Sequence, residues 1–440
     1  MDRRMGRTAA LAGLLFLSHA RADDQGLPHA ASVRVLTLEE AIRTALAQHP
    51  SLRHERQEIA AAQARTGQVR SNYYPQVSAS GFAKQGLSGA SGALGLRGLV
   101  ASPLFRDIGS SAALLQNLYD FGRTAHGVKA SEWAVVSLKH ALQAQQALVT
   151  LGVQQAYYNA LEQQRLIKVA EETVAERQLT VRQATAFYNA SLKSKLDVTL
   201  AEVAAANAQL ELVRARERSR TAFAELNLAM GVAGEPAYIL EEPGITLEPP
   251  AALDTLVAEG QTQRPELSAL DAQVRADRET VAFAESNRKP RLVGLFSGGW
   301  VRFSELTPGR LLLGAFGIDM PLFTGFRIEN EIAEAKANLA RTEAARDALS
   351  QEIRLEVQRA HNQLESAMES VRATEPLVDQ ARQALRLAQV RYRNQLGDLV
   401  ELNIAQVAAA EAEAQHARAQ YRYKVAEAVL RFVTGRPYRP

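Results

Sequence analysis

Two stretches bring titratable side chains together in the same pattern. Tyr188-Asn189-Ala190-Ser191-Leu192-Lys193-Ser194-Lys195-Leu196-Asp197 and Tyr392-Arg393-Asn394-Gln395-Leu396-Gly397-Asp398-Leu399-Val400-Glu401 each place a Tyr nine residues before an acid, with a Leu at the bend. Asp197, Asp398 and Glu401 supply carboxylates, and Lys193, Lys195 and Arg393 can pair with them. Such a set suits a narrow opening held by ion pairs, and a ring of acids there favours cations. The same acids at the start of a helix are stabilised by its dipole, so both stretches also read as ordinary capped turns. Tyr188 and Tyr392 add packing.

Other chemistry finds little support. There is no Walker loop, no His-Glu-x-x-His, no dinucleotide fingerprint and no nucleophile elbow. His54-Glu55-x-x-Glu58 falls on an expected surface helix and reads as a solvated polar face rather than a metal site. His416, among Glu411 and Glu413, reads the same way. Trp133 and Trp300 suit packing or a membrane interface better than a ligand site. No enzyme activity, cofactor or metal is expected.

The elements that carry the two turns are copies of one another. Leu118–Gly231 returns as Leu322–Gly435, displaced by 204 residues without a gap. Leu151-x-Val153-Gln154-x-Ala156 becomes Leu355-x-Val357-Gln358-x-Ala360, and Leu200-Ala201-Glu202-Val203 becomes Ile404-Ala405-Gln406-Val407. The fold is therefore an internal duplication. From Ile353 a seven-residue apolar repeat runs through Val357, Ala360, Leu364, Ala367, Val371, Val378, Ala381, Leu385, Ala388 and Tyr392, the pattern of helices that supercoil together. Thr374 interrupts it, and Pro376 is expected to kink the helix. Copy one keeps the register from Val149 to Tyr188 with two lapses, Gln163 and Arg177. Arg123 to Tyr188 as one helix would be roughly 100 Å long. A stalk or conduit needs that length; a globular core does not.

Upstream of each hairpin, Val35 to Val69 carries helical spacing, and Leu253 to Phe283 is its relative. Leu292, Gly294, Phe296, Gly298 and Trp300 alternate, as do Leu312, Gly314, Phe316, Ile318 and Met320, each run about the length of a tilted membrane strand. Copy one alternates less clearly over Tyr74 to Lys84 and Ala112 to Asp120. Gly86, Gly89, Gly92, Gly95 and Gly98 lie between them and read as a flexible loop.

The formal charge of +3 does not point to nucleic acid. Residues 1–22 hold four Arg and one Asp, and the remainder carries 47 basic and 47 acidic residues. Residues 1–22 read as a secretory signal, with Arg3, Arg4 and Arg7 before an apolar run and Ala20-Arg21-Ala22 as the cleavage site. Cysteine is absent, which excludes disulfides, thiolate metal sites and an N-terminal lipid-bearing Cys.

Signal, strand pairs, long hairpins and tandem duplication together resemble the TolC-like outer-membrane efflux proteins. Pro321-Leu322-Phe323-Thr324-Gly325-Phe326-Arg327 and Leu118-Tyr119-Asp120-Phe121-Gly122-Arg123 are similar to that family's strand-to-helix junction, and Arg391 to Gln406 to its second periplasmic turn. The sequence departs from the family at Asn117, opposite Pro321, and at Ile404, where many relatives carry a second acid.

The resemblance implies a mainly helical chain with a transmembrane β part, assembled as a homotrimer. Duplicated hairpins would form an α-barrel, and four strands per chain a shared 12-stranded outer-membrane barrel. Four strands alone cannot close, since about eight is the smallest barrel. It also implies a bacterial outer-membrane location reaching into the periplasm, in contact with lipid. Its partners would be a periplasmic adaptor and an inner-membrane transporter of an efflux pump or type I secretion system, with no nucleic acid. The expected organisation is a signal at 1–22, a first repeat at 23–235 (strand pair about 73–120, hairpin 123–231) and a linker at 236–250. A second repeat follows at 251–435 (strand pair about 290–323, hairpin 327–435), with a tail at 436–440. The competing reading, a periplasmic coiled-coil adaptor or scaffold without a channel, accounts for the hairpins but not for the alternating strands.

Overall fold

The computed structural model describes residues 34–87, 104–234, 238–302, 309–436 and 438. The expected signal and the glycines from Gly89 to Gly98 lie outside the described residues. A short strand β1 (Arg34–Leu36) leads into α1 (Leu38–Gln48) and α2 (Pro50–Arg70). Strands β2 (Gln76–Leu87) and β3 (Leu104–Tyr119) follow, then the hairpin of α3 (Arg123–Asn189) and α4 (Lys195–Met230). The second copy runs through β4 (Tyr238–Leu240), α5 (Leu253–Gln263), α6 (Pro265–Ser286), β5 (Arg291–Arg302) and β6 (Gly309–Asp319). It closes with α7 (Arg327–Arg393) and α8 (Leu399–Val433).

The single helix expected over Val35–Val69 is two helices preceded by a strand. Pro50 cannot donate an i→i−4 hydrogen bond, so it occupies the first turn of α2 and ends α1 at Gln48. Pro265 does the same between α5 and α6. Each elbow receives the end of its own hairpin. Gly231 and Gly435 are left-handed, at φ 68° and 72°. A Cβ on Gly231 would lie 3.0 Å from His49 Cα, and one on Gly435 2.8 Å from the Gln263 carbonyl carbon. Gly435→Ala is therefore expected to destabilise by at least about 1–2 kcal/mol from the left-handed backbone alone. The check is a lowered midpoint in thermal melting of the purified protein.

α3 and α7 are each 67 residues long, roughly 100 Å. α7 continues through Pro376. Toward the sheet, α3 packs on α2 and α6, shown by Arg70–Glu132 at 2.6 Å, Ser137 Oγ donating to Ala269 O at 2.8 Å, and Arg275 over the Trp133 ring at 4.7 Å. Midway, the Tyr157 hydroxyl lies 2.9 Å from the carbonyls of Leu36 and Glu241, tying α3 to the parallel β1–β4 pair. Toward the turns, α3 packs on α4 and α8, and α7 on α8. The four helices therefore lie side by side in the order α4, α3, α8, α7. Val357, Ala360, Leu364, Val371, Val378, Ala381, Leu385, Ala388 and Tyr392 are buried, so the seven-residue repeat is the seam of the second hairpin.

The other sheet is antiparallel in the order β2-β3-β5-β6, so among the described residues β2 and β6 are both free edges. Its registry puts Leu312, Phe316 and Ile318 on the face that also holds Phe296, Leu114 and Val77. Phe316 faces Gly294 across the ladder, and Phe296 faces Gly314, so each large ring lies over a glycine. The opposite face carries Ser78, Ser80, Ser111 and Ser297. At each strand-to-helix junction two consecutive residues are left-handed: Phe121-Gly122 in copy one, Gly325-Phe326 in copy two. Asp120 anchors the first junction by accepting from the Thr124 N–H at 2.8 Å. Among the described residues, no helix is long and apolar enough to cross a membrane.

Candidate functional site

Both hairpin turns are built by the same backbone device. Ser191 and Gln395, 204 residues apart, are left-handed at φ 56° and 61°. Leu192 N–H returns to Phe187 O and Leu396 N–H to Arg391 O, both at 2.8 Å, which terminates α3 and α7 in paired six-to-one closures. The return helices are then capped. Ser194 and Asp197 form a capping box, with the Asp197 carboxylate accepting from Ser194 N–H at 3.0 Å and Oγ at 2.7 Å. Asp398 accepts from Glu401 N–H at 2.7 Å.

The acids thus serve the turns first. Glu401 is paired across its own turn with Arg391, Nε to Oε1 at 2.9 Å, and Arg391 also donates to Leu396 O at 3.1 Å. Arg393 donates to Gln389 O at 3.3 Å. Within one chain and among the described residues, Lys193, Lys195 and Arg393 make no ion pair. Gly397 packs closely beside the Arg391–Glu401 pair, since a Cβ there would lie 2.9 Å from Glu401 Oε2 and 3.2 Å from Arg391 Cβ.

The two Tyr residues part company. Tyr188 is 43% exposed, whereas Tyr392 is 1% exposed with its ring edge-on to Phe187, 5.6 Å between centroids. Among the described residues, the buried Tyr392 hydroxyl has no hydrogen-bond partner. Burial, and then the Asp197 charge, push its pKa up, so the phenol stays neutral. Tyr392 joins a core formed by Val378, Leu385, Leu399 and Leu402 of the second hairpin with Ala184 and Ala201 of the first. The turns of one chain therefore share a core.

Twelve residues before the end of α3, Arg177 is 6% exposed. It donates from Nη1 to Asn403 Oδ1 at 2.5 Å and to Gln406 Oε1 at 2.6 Å, and Gln406 Nε2 donates to Thr180 Oγ1 at 3.1 Å. Burial lowers the Arg177 pKa, and the neighbouring Glu176 charge partly opposes that. The sequence marks Arg177 only as a lapse in the heptads; its partners on α8 lie more than 220 residues away. Also unanticipated is an apolar face repeated in both copies. Leu196, Leu200 and Val203 on α4 and Val400, Ile404 and Val407 on α8 are all exposed.

His416 is not on a solvated face. It bridges α8 to α7, Nδ1 3.0 Å from Thr374 Oγ1, which explains the polar break in the second heptad series. His54, Glu55 and Glu58 do bring ligand atoms within 4.8 Å, but on the outer surface of α2.

The family model for outer membrane efflux proteins matches residues 41–232 and 256–436. The chain is 29% identical over 342 residues to protein CyaE of Bordetella pertussis, covering 74% of this chain and 68% of that protein. Its fold is similar to that of a membrane protein from Pseudomonas aeruginosa, with a TM-score of 0.78, 22% identity, and 90% and 93% of the two chains covered. It is also similar to the open state of the MtrE outer membrane channel of Neisseria gonorrhoeae, with a TM-score of 0.74, 18% identity, and 90% and 88% covered.

Proposed function

The chain belongs to the outer membrane efflux protein family, and from that premise we propose that three copies assemble into an exit duct. The family resides in the bacterial outer membrane and extends into the periplasm. The observation that carries the proposal is the four-stranded sheet with both edges free and one apolar, aromatic face. A free edge must be paired or covered, and three such sheets joined β6 to β2 give twelve strands, enough to close around a lumen. The duct conducts passively, and no side-chain constellation in it is assigned a catalytic role.

The four-helix units then line up into a tube roughly 100 Å long. The turns stand at its periplasmic mouth, and threefold symmetry makes each turn residue a ring of three. Asp197, Asp398 and Glu401 place carboxylates there, with Lys193, Lys195 and Arg393 as neighbours for the next copy. The mouth meets a periplasmic adaptor and an inner-membrane transporter of an efflux pump or type I secretion system. The exposed face of Leu196, Leu200 and Val203, repeated at Val400, Ile404 and Val407, offers the adaptor six equivalent apolar patches.

The test is reconstitution. Extracted in detergent, the protein should run as a heat-resistant trimer with mixed helix and strand content, and form discrete channels in a planar bilayer. A water-soluble monomer with no conductance overturns the duct and leaves the scaffold reading.

A further inference from the structure

We propose that the outer rim of the sheet carries a binding site for a phosphorylated lipid of the outer leaflet, formed by Trp300, Arg302 and Arg310. The inference rests on the trimeric duct described above, whose aromatic face meets lipid, and goes beyond it by naming a ligand.

The strand register sorts charge by face. β5 is entered from α6 and β6 leads into α7, so Arg302 and Gly309 end these strands on the side away from the helices. The charged residues of the four strands fall into two groups. Lys84 stands opposite Asp107, and Arg291 opposite Asp319, so on the serine-bearing face each cation has an acid beside it in the ladder. Arg106, Arg302 and Arg310 register on the face of Phe296 and Phe316, where their partners across the ladder are Gln85, Ile108 and Trp300. No acid of the described strands shares that face. Arg302 and Arg310 are exposed and make no ion pair among the described residues.

The two ends of this face differ. Toward the helices, Leu322, Phe323 and Phe326 are exposed, and Arg291 and Arg327 are paired with Asp319 and Glu331. At the outer rim stand one large aromatic, Trp300, and guanidinium groups without acids. Tryptophan suits the level of lipid headgroups, and a cation on the lipid side is tolerated best at that depth. An anion is still needed to pair it. On this side of the barrel the headgroups are what can supply one, through their phosphates.

The spacing fits such a ligand. Arg310 faces Trp300 directly, and Arg302 is its diagonal neighbour, about 7–8 Å away. Each planar guanidinium takes two oxygens of one phosphate, so the two either clamp one phosphate or hold two on the same headgroup. Beneath them the wall is low. Ala79, Ala112 and Gly298 form one row, and Gly81 and Ser110 continue the row of Trp300. An acyl chain can lie against that strip while its headgroup meets the arginines, an arrangement that a free phosphate cannot make. The site occurs once per chain. The register Arg291–Asp319 repeats Gln76–Leu115, which puts Gln85 and Leu87 in the places of Trp300 and Arg302 in copy one.

The test titrates the wild-type trimer in mild detergent with three lipids and counts bound lipid by native mass spectrometry. The probes are bisphosphorylated lipid A, lipid A stripped of both phosphates, and phosphatidylglycerol. The bisphosphorylated form should fill up to three sites per trimer and bind roughly tenfold more tightly than either of the others. Arg302→Gln with Arg310→Gln should remove that preference while the protein still runs as a heat-resistant trimer. Arg302→Lys with Arg310→Lys should keep part of it, since the charge stays and the fork is lost.

Equal binding of the three lipids by the wild type overturns the inference and needs no variant, so a glutamine variant that fails to assemble does not shield it. Full preference in an assembled glutamine variant overturns it as well. If the protein is instead monomeric in detergent and forms no channels, the duct reading falls with it. A conducting trimer without the preference removes only the inference.

Discussion

Tyr392→Ala is expected to open the duct at rest and to raise its single-channel conductance in a planar bilayer severalfold. The ring fills the core shared by the two turns and lies edge-on to Phe187. Truncating a buried aromatic of this kind costs about 3–5 kcal/mol, and the proposed threefold assembly repeats the loss at one level of its tube. Tyr392→Phe should behave differently. The hydroxyl has no partner among the described residues, so its removal relieves an unsatisfied group worth about 1–3 kcal/mol and should leave conductance at the resting value. Arg391→Ala should produce a smaller opening than Tyr392→Ala. Its pair with Glu401 is half exposed, and such pairs contribute about 0–1 kcal/mol. Equal conductance for the Ala and Phe variants would mean that the ring does not hold the mouth closed.

The comparison of Tyr392 with Arg393 shows where sequence reasoning stops at this site. Residue types at the turns are legible, because the duplication aligns Tyr188 with Tyr392 and Asp197 with Glu401. Pairing is not. Arg393 looks like the natural partner of the acids, yet it is Arg391, two residues earlier on the helix, that faces Glu401. Two residues along a helix rotate a side chain by roughly 200°, and only the end of α7 fixes which one points across the turn. Asp197 is a cap and a candidate ring acid at once, so its type alone does not separate the two roles.

The long helices are legible for a different reason. A repeat of apolar residues carried over nine positions from Val357 to Tyr392 has only one periodic explanation, and those residues are buried. Arg177 shows the converse. As a lapse in the corresponding copy-one series it marks a place where the helix meets something polar, but the partners at Asn403 and Gln406 belong to the other copy. Helical spacing continues on both sides of the elbow at Pro50, which hides the break between α1 and α2. In copy one, Ala112 to Asp120 alternates weakly because Ala112-Ala113, Leu114-Leu115 and Gln116-Asn117 put the same kind of residue on both faces of β3, which leaves no two-residue signature.

Charge on the outer face of the sheet should have the other large effect. Phe316 is 83% exposed, on the face it shares with Leu312 and Ile318, and it lies over Gly294. If that face meets lipid, Phe316→Arg places a guanidinium in the hydrocarbon at about 2–4 kcal/mol per chain near the midplane, three times over in a trimer. The expected result is loss of the heat-resistant trimer from the outer-membrane fraction. Ser297→Arg is the matched control. Ser297 lies on β5, next to Phe296 and opposite Leu313 of β6, but its side belongs to the serine-bearing face. In a closed barrel that side looks into the lumen, so the variant should still assemble and should change only conductance and ion preference. Both proteins are followed by membrane fractionation, gel migration without heating, and bilayer recording. If Phe316→Arg assembles normally while Ser297→Arg does not, the faces are reversed. If both assemble with unchanged conductance, the sheet does not line a membrane pore. A phenylalanine over a glycine on an open ladder would then need a different solvent to explain it.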